Sequence, residues 1–529
     1  MKDCKLDKSD NCTFPVGHCD FSYIREHGLR YVDKTASVNR LVRESGYSLL
    51  CRPRGFGKSL LVSTLKAFFE GRRELFDGLY IGTQDWNWEP FPVLYLDFSL
   101  SEESCSLERV LDRYLSCWEK AYGVDRTSDD EALRLADVIH GAYLQTGRRV
   151  VVLVDGYENP VTGNLFNVER RGQICRMLRR FYGMLGRCAP DIRFVFLTGV
   201  VKFSEGILTG DISGLRDISM DEGYADICGF TEIELHKNFS DELRISDRSE
   251  CPQKTHEMLR SQYGGFRFAG DVPEVFSPRG LINGFGRRKM TESRSAVETP
   301  ESLVGVMVRT HYPVRELEGV MRRGCELMGQ DLDFQDPIPF IYQCGFLTVT
   351  DFDRRRGLYT LSYPNREMKR RWLEWLVPLY LDCGTGRTDF DVKSFMEDVE
   401  KGEVDSFMIR LRSFLAGVPY DHCPKEMSEG RLHDMVFAVS VLLGLDARTE
   451  FHTSMGRIDM VVHTERRIYI FEFKLNLQAR TASRQIERQG YAQPYLSSGK
   501  EVICVGVNFS SKTRNIDEWD IRRLNAPII

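Results

Sequence analysis

No run of apolar residues in this 529-residue chain reaches the roughly 20 positions a bilayer-crossing helix needs. The opening segment from Met1 to Gly17 carries charged and small polar residues in place of an apolar signal core. The expectation is a soluble cytoplasmic protein with no membrane partner. Paired cysteines are missing as well: fifteen are present, an odd number, and none forms a Cys-x-x-Cys pair. That argues against zinc knuckles and disulfide frameworks and for reduced thiols. Neither sign of charge dominates, since 72 basic residues face 77 acidic ones for a net charge of −5, so any contact with nucleic acid must come from local patches. No internal repeat is evident. With 42% hydrophobic and 28% charged residues the composition is that of a folded chain, long enough for roughly two to four domains.

One further absence is informative. Arg52-Pro53-Arg54-Gly55-Phe56-Gly57-Lys58-Ser59 lies between the apolar run Tyr47 to Cys51 and an amphipathic stretch from Leu60. Strand, phosphate-cradling loop and helix follow in that order, but Arg52 stands where the P-loop pattern has its first glycine. A triphosphate needs backbone N–H groups converging at a helix N-terminus, a lysine for the outer phosphates and a hydroxyl on Mg²⁺. Gly55, Gly57, Lys58 and Ser59 supply these, and Arg54 is counted with them as a cofactor-binding residue. ATP and Mg²⁺ are therefore the expected cofactors.

Further along, Phe91 to Ser99 alternates like a strand, Arg149 to Asp155 is a continuous apolar strand ending in a carboxylate, and Phe194 to Gly199 is a third buried strand with a polar tip at Thr198. Strands alternating with helices predict a doubly wound parallel α/β sheet of P-loop NTPase type, whose ligands bind at the carboxyl ends of the strands. Lys58, Asp155 and Thr198 share that edge. Asp155 matches the metal-holding carboxylate that follows a P-loop in such proteins. Glu158 is a candidate for activating water.

Several segments resemble the AAA-ATPase-like family: Tyr31-Val32-Asp33-Lys34-Thr35, the Arg-Pro-Arg-x-Phe-Gly-Lys-Ser loop, Val154-Asp155-x-Tyr157, Leu197-Thr198-Gly199-Val200-x-Lys202-Phe203-Ser204, Tyr224 to Glu232, Gly265-Phe266-Arg267-Phe268 and Pro364-Asn365. The resemblance runs from about Phe14 through most of the chain and makes Arg52 a family habit. The family usually reads Asp-Glu-Tyr-Asp where this chain has Asp155-Gly156-Tyr157-Glu158, which implies weak or absent ATP hydrolysis. Thr198 is expected beside the γ-phosphate, with Lys202 and Arg267 as candidates for phosphate charge.

A second chemical signal lies near the other end. Gly456-Arg457-Ile458-Asp459 and Val461-Val462 precede a polar turn from His463 to Arg467, and Ile468-Tyr-Ile-Phe-Glu472-Phe-Lys474 follows as a strand. Residues two apart in a strand share a face, so Glu472 and Lys474 project together and Asp459 joins them across a hairpin. Two carboxylates can hold Mg²⁺ against a phosphodiester while a lysine orients water. The arrangement resembles the PD-(D/E)xK nuclease superfamily. That resemblance implies Asp459, Glu472 and Lys474 as metal and catalytic residues, Glu429 as an additional metal carboxylate and Gln485 as a brace; Glu450 and His452 lie nearby in the sequence.

The expected organisation is an AAA-ATPase-like domain over residues 14–235, a mainly helical and winged-helix-like region over 236–390, a helical connector over 391–425, and a restriction-endonuclease-like α/β domain over 426–529. Two short strands, Phe340 to Val349 and Gly357 to Pro364, suggest the winged module. The basic clusters Arg287-Arg288-Lys289, Arg354-Arg355-Arg356 and Lys369-Arg370-Arg371 are candidates for DNA contact. The reading is an ATP-binding regulatory domain coupled to a Mg²⁺-dependent DNA nuclease. One rival is an ATP-dependent switch or scaffold that binds nucleic acid or protein without catalysis. Another is a remodeller of protein partners that forms homo-oligomers on binding ATP.

Overall fold

The computed structural model describes residues 14–44, 46–98, 106–203, 208, 212, 214–247, 252–286, 301–310, 317–372, 392–416, 436, 446–453, 456–464 and 466–524. Ser204, Arg287-Arg288-Lys289 and Glu429 lie outside the described residues. The chain divides into two compact units, residues 1–306 with 319–365 and residues 307–318 with 366–529.

In the first unit, Tyr47–Cys51 (β1), Val93–Asp97 (β2), Val150–Asp155 (β3), Ile192–Gly199 (β4) and Leu215–Asp217 (β5) form a parallel sheet in the order β2-β3-β4-β1-β5. Every residue of β3 is buried, as a central strand covered on both faces requires. The helix Lys58–Phe69 buries Leu61, Leu65, Phe68 and Phe69, positions spaced to lie along one face. Register sets the site: Asp97 lies opposite Asp155, Asp155 opposite Thr198, and Cys51 opposite Gly199, so the loop after β1 and three polar strand ends share the carboxyl edge.

Phe230–Thr231 (β6) pairs with Val275–Phe276 (β7), and Val320–Arg323 (β8), Thr348–Asp353 (β9) and Leu358–Ser362 (β10) make an antiparallel sheet in the order β8-β10-β9. The strand expected from Phe340 is instead a helix, Ile338–Gln343, followed by β9. Pro337 caps that helix and Pro339 sits in its first turn, where a missing N–H costs nothing, and Gly345 at φ 86° ends the segment. This region belongs to the same unit as the P-loop: Lys202 N–H donates to Gln343 Oε1 at 2.6 Å, and Gln330 N–H donates to Lys202 C=O at 3.1 Å.

The distant sequence motifs meet in space. Lys34 Nζ donates to Glu234 Oε2 at 2.6 Å and to Asp226 C=O at 2.8 Å. Asn365 Nδ2 donates to Gly264 C=O at 2.7 Å, beside Gly265-Phe266-Arg267-Phe268.

The second unit holds a mixed sheet of Asp446–Thr453 (β11), Gly456–His463 (β12), Arg467–Leu475 (β13), Glu501–Ser510 (β14) and Asn515–Leu524 (β15), in that order. Only β13 and β14 run parallel, joined through the helix Ala479–Arg488. The sequence pattern leads to β12, β13, that helix and β14 but not to β11 and β15. Those two are the sheet's edges, where a strand has less apolar surface to cover and its alternation fades.

Gly265 provides a test of how the first unit is clamped. Its φ is 81°, and a Cβ there would meet the Pro364 carbonyl oxygen at 1.9 Å, a backbone atom that cannot swing aside. Gly265→Ala is expected to destabilise this unit by about 2–4 kcal/mol, read from its urea midpoint. A change below about 0.5 kcal/mol would show that the segment is not held there.

Candidate functional site

The P-loop follows the end of β1. Gly55 and Gly57 have φ 83° and 92°, left-handed values that let the loop turn its amides inward before the helix begins at Lys58. Arg52 points the other way. It is 1% exposed, donates through Nη1 to Cys51 C=O (2.9 Å) and Ser219 C=O (2.7 Å) and through Nη2 to Tyr224 C=O (3.0 Å), and its guanidinium lies 4.4 Å from the centre of the Phe268 ring. The side chain that replaces the first glycine is thus a strut beneath the cradle and leaves the phosphate side to the backbone. Phe56, from inside the loop, packs edge-on against Phe266 and Phe268 at 4.8 and 5.2 Å. Arg54 is exposed.

Lys58 Nζ donates to the loop's own carbonyls, Arg52 at 2.9 Å and Pro53 at 3.1 Å. Burial depresses its pKa, opposed by the charges of Asp155 and Glu158. Asp155, 2% exposed, accepts a hydrogen bond from Ser59. Burial pushes its carboxyl up, Ser59 and Lys58 pull it down, and Asp97 across the strand adds repulsion. Among the described residues, Asp155 Oδ2 and Glu158 Oε2 are buried without a protein hydrogen-bond partner. Ser59 and Asp155 thus offer hard oxygen donors with one acceptor unfilled, a set that fits Mg²⁺. Asp97 ends β2, and its place beside Asp155 follows from the β2–β3 register, which no local pattern encodes.

Gly156 has φ 70°, and both Gly156 N–H and Tyr157 N–H donate to Thr198 C=O, at 2.7 and 3.1 Å. This turn carries Glu158 into the interior, where Oε1 accepts from Val200 N–H at 2.6 Å and Val201 N–H at 3.3 Å. Burial is the main reason its pKa is raised. A glutamate at position 156 would have to adopt that left-handed backbone. Thr198 is fully buried with its hydroxyl donated to Leu50 C=O at 2.9 Å, so any contact with a phosphate requires exchange of that bond. Lys202 Nζ pairs with Asp217 at 2.7 Å, and Arg267 lies 3.5 Å from Glu274.

In the second unit, period-two alternation divides β13. Ile468 and Ile470 join the core cluster with Ile486 of the helix Ala479–Arg488, and Glu472 and Lys474 continue on that face. The paired register of β12 and β13 runs as far as Met460 opposite Phe471, and beyond it the Asp459 carboxylate accepts from Phe473 N–H at 2.8 Å. Glu472 is 1% exposed, and Lys474 Nζ donates to Glu472 Oε1 at 2.9 Å and to Phe473 C=O at 3.0 Å. Asp459, Glu472 and Lys474 therefore gather at one end of the hairpin. Two carboxylates and a carbonyl again form a hard oxygen set suited to Mg²⁺. Gln485 is half-buried on the helix that covers this face. Glu450 and His452 lie on β11, with the backbone of His452 opposite Arg457 in the β11–β12 register.

The described basic clusters are engaged with acidic neighbours. Arg354 pairs with Asp271 at 2.5 Å, Arg356 with Asp353 at 3.7 Å, Lys369 with Glu318 at 3.1 Å and Arg371 with Glu367 at 2.8 Å.

Comparison with known proteins agrees with both halves of the chain. Residues 15–209 match the AAA-ATPase-like family, described as a predicted AAA-ATPase, and residues 427–519 match the PD-(D/E)XK nuclease superfamily. A protein of Azotobacter chroococcum mcd 1, described as an uncharacterized protein in the vnfD 5' region, is 31% identical over 513 residues, covering 95% of this chain and 97% of the relative. The chain belongs to the AAA-ATPase-like family and carries a C-terminal PD-(D/E)XK nuclease superfamily domain. Among the described residues no helix is long and apolar enough to cross a membrane.

The buried Asp155 carboxylate has a measurable cost. Its folded pKa is raised, so the native state holds the proton more tightly than the unfolded chain, and stability falls as pH rises from the unfolded value near about 3.9 through the folded one. Asp155→Asn is expected to raise the unfolding temperature of the nucleotide-free protein by about 2–4 °C at pH 7.5, with the gain shrinking as pH falls toward about 4. Thermal unfolding by circular dichroism checks this; an equal gain at both pH values would refute the charge-burial origin.

Proposed function

We propose that this protein binds a Mg²⁺-nucleoside triphosphate, ATP, in the cradle from Arg54 to Ser59, and that its C-terminal domain is a Mg²⁺-dependent nuclease acting on DNA under control of the nucleotide state. The observation that carries the reading is the pair of lysines parked on oxygens. Lys58 Nζ rests on two loop carbonyls and Lys474 Nζ on Glu472 and the Phe473 carbonyl, so each ammonium fills a place made for phosphate or metal chemistry.

In the first site, Lys58 leaves the Arg52 and Pro53 carbonyls for the outer phosphates, and the amides of Gly55 to Ser59 hold the phosphate oxygens at the helix N-terminus. Ser59 and Asp155 would hold Mg²⁺. Thr198 at the tip of β4 stands ready to report the γ-phosphate by exchanging its bond to Leu50. Glu158, bound to two backbone amides, is poorly placed to free a water of its proton, and Gly156 offers no carboxylate. Supporting a slow or absent hydrolysis, these two features make the nucleotide a switch that is held more than spent.

In the second site, Asp459 and Glu472 would hold Mg²⁺, with Glu429 and Gln485 as further contributors. The metal, when bound, neutralises phosphodiester charge and lowers the pKa of attacking water. Lys474, released from Glu472, orients that water and stabilises charge developing on the phosphate. Burial of Glu472 and its tie to Lys474 hold the carboxylate in place before metal arrives.

Glu472→Gln and Lys474→Ala are each expected to lower Mg²⁺-dependent DNA cleavage by about 10²-fold or more while leaving ATP affinity unchanged. Lys58→Ala should abolish ATP binding and remove any response of cleavage to ATP. Cleavage that persists undiminished in both C-terminal variants would remove the nuclease assignment. Phosphate release that matches fast ATPases would remove the switch.

A further inference from the structure

Two helices of the first unit, Glu232–Asn238 and Pro252–Tyr263, bring together three metal-ligating side chains that neither proposed site uses. Glu232 and His236 stand at i and i+4 on the first helix, and therefore on one face of it. His256 reaches them from the second. One ligand atom from each lies within 4.8 Å of the other two. His256 Nε2 is 3.5 Å and His236 Nε2 3.9 Å from Glu232 Oε1, and the two imidazoles lie nearly parallel, 12° apart, with centroids 6.3 Å from each other.

The nearest other charged side chains make their hydrogen bonds elsewhere. Glu234, two residues from Glu232, is spent on the helix start, accepting from Thr231 N–H at 2.8 Å and Lys34 Nζ at 2.6 Å. Arg260, one turn beyond His256, is drawn away by a two-point pair with Glu274 at 3.0 and 2.8 Å. Among the described residues, the Glu232 carboxylate has its ion pairs with the two imidazoles, and Arg260 acts on it only through its charge. Glu232 and His236 are exposed and His256 is half-buried, so an ion can enter from solvent.

We propose that Glu232, His236 and His256 form a site for a divalent transition-metal ion, Zn²⁺ by donor set, with water in an outward fourth position. Two imidazole nitrogens and one carboxylate oxygen suit Zn²⁺, whereas Mg²⁺ prefers oxygen alone. The ion staples the helix Glu232–Asn238 to the helix Pro252–Tyr263 across the segment between them. Closing that loop of about twenty residues adds stability to the native unit, because the unfolded chain has no such arrangement to bind. The site shares no residue with the P-loop or with the Asp459–Glu472 pair.

The test uses the full-length protein, stripped with chelator and titrated with Zn²⁺ and separately with Co²⁺ in millimolar Mg²⁺ to cover the oxygen sites. Wild type is expected to take up one equivalent that the His236→Ala/His256→Ala double variant lacks, and to gain thermal stability on adding Zn²⁺ that the double variant does not. Glu232→Gln should bind at least about tenfold more weakly. All three positions are surface-accessible, and circular dichroism of the stripped variants checks that they fold like wild type. The Co²⁺ complex should show visible d–d bands without thiolate charge transfer. Equal uptake by wild type and the double variant, or a thiolate band from one of the free cysteines, would overturn the assignment.

Discussion

A buried guanidinium holds the nucleotide half of this protein together. Among the described residues no carboxylate hydrogen-bonds to Arg52; its charge is met by the carbonyls of Cys51, Ser219 and Tyr224 and by the face of Phe268. Such a group is costly to bury, and its pKa is lowered accordingly, so it persists only where several segments are fixed around it at once. Those segments are the end of β1, the chain after β5 and the Gly265-Phe266-Arg267-Phe268 stretch. The P-loop is thus braced from behind by an arginine at the position where a glycine would have left only space.

The same economy of charge recurs at both ends of the molecule. Lys58 and Lys474 each lie among oxygens, and each rests on backbone carbonyl oxygen. Asp155 and Glu158 crowd the first site, where burial raises both carboxyls while Lys58 opposes the rise. In the second, the Asp459 carboxylate completes a strand ladder at Phe473 and so is held beside Glu472 by the architecture of the hairpin. Each site places a lysine among oxygens, an arrangement that suits the phosphate chemistry proposed for both.

Much of this is legible in residue order because the relevant physics is local. A run such as Val150 to Asp155 can only be a buried strand, glycines at 55 and 57 announce a loop of left-handed turns, and Glu472-x-Lys474 in a strand shares a face by geometry alone. The illegible parts have physical reasons. β11 and β15 are edges with thin apolar patterns. Phe340 to Gln343 is apolar enough for a strand, but prolines at 337 and 339 start a helix. The neighbour of Asp155 is Asp97, whose place depends on a parallel register set by pairing between strands more than fifty residues apart in the chain.

Sequence by itself determined the chemistry on offer: the P-loop with its lysine and hydroxyl, the strand-end carboxylate, the Asp459, Glu472 and Lys474 set, and the want of a glutamate after Asp155. Tertiary structure alone decided where each group points. It turned Arg52 inward as a strut, bent the chain at Gly156 so that Glu158 is locked onto the end of β4, and bonded Thr198 to Leu50. It also set two histidines and a glutamate from separate helices around one point. Residue identity fixes what a side chain can donate or accept, but burial, register and the competing partners that direct it arise only when distant segments pack together.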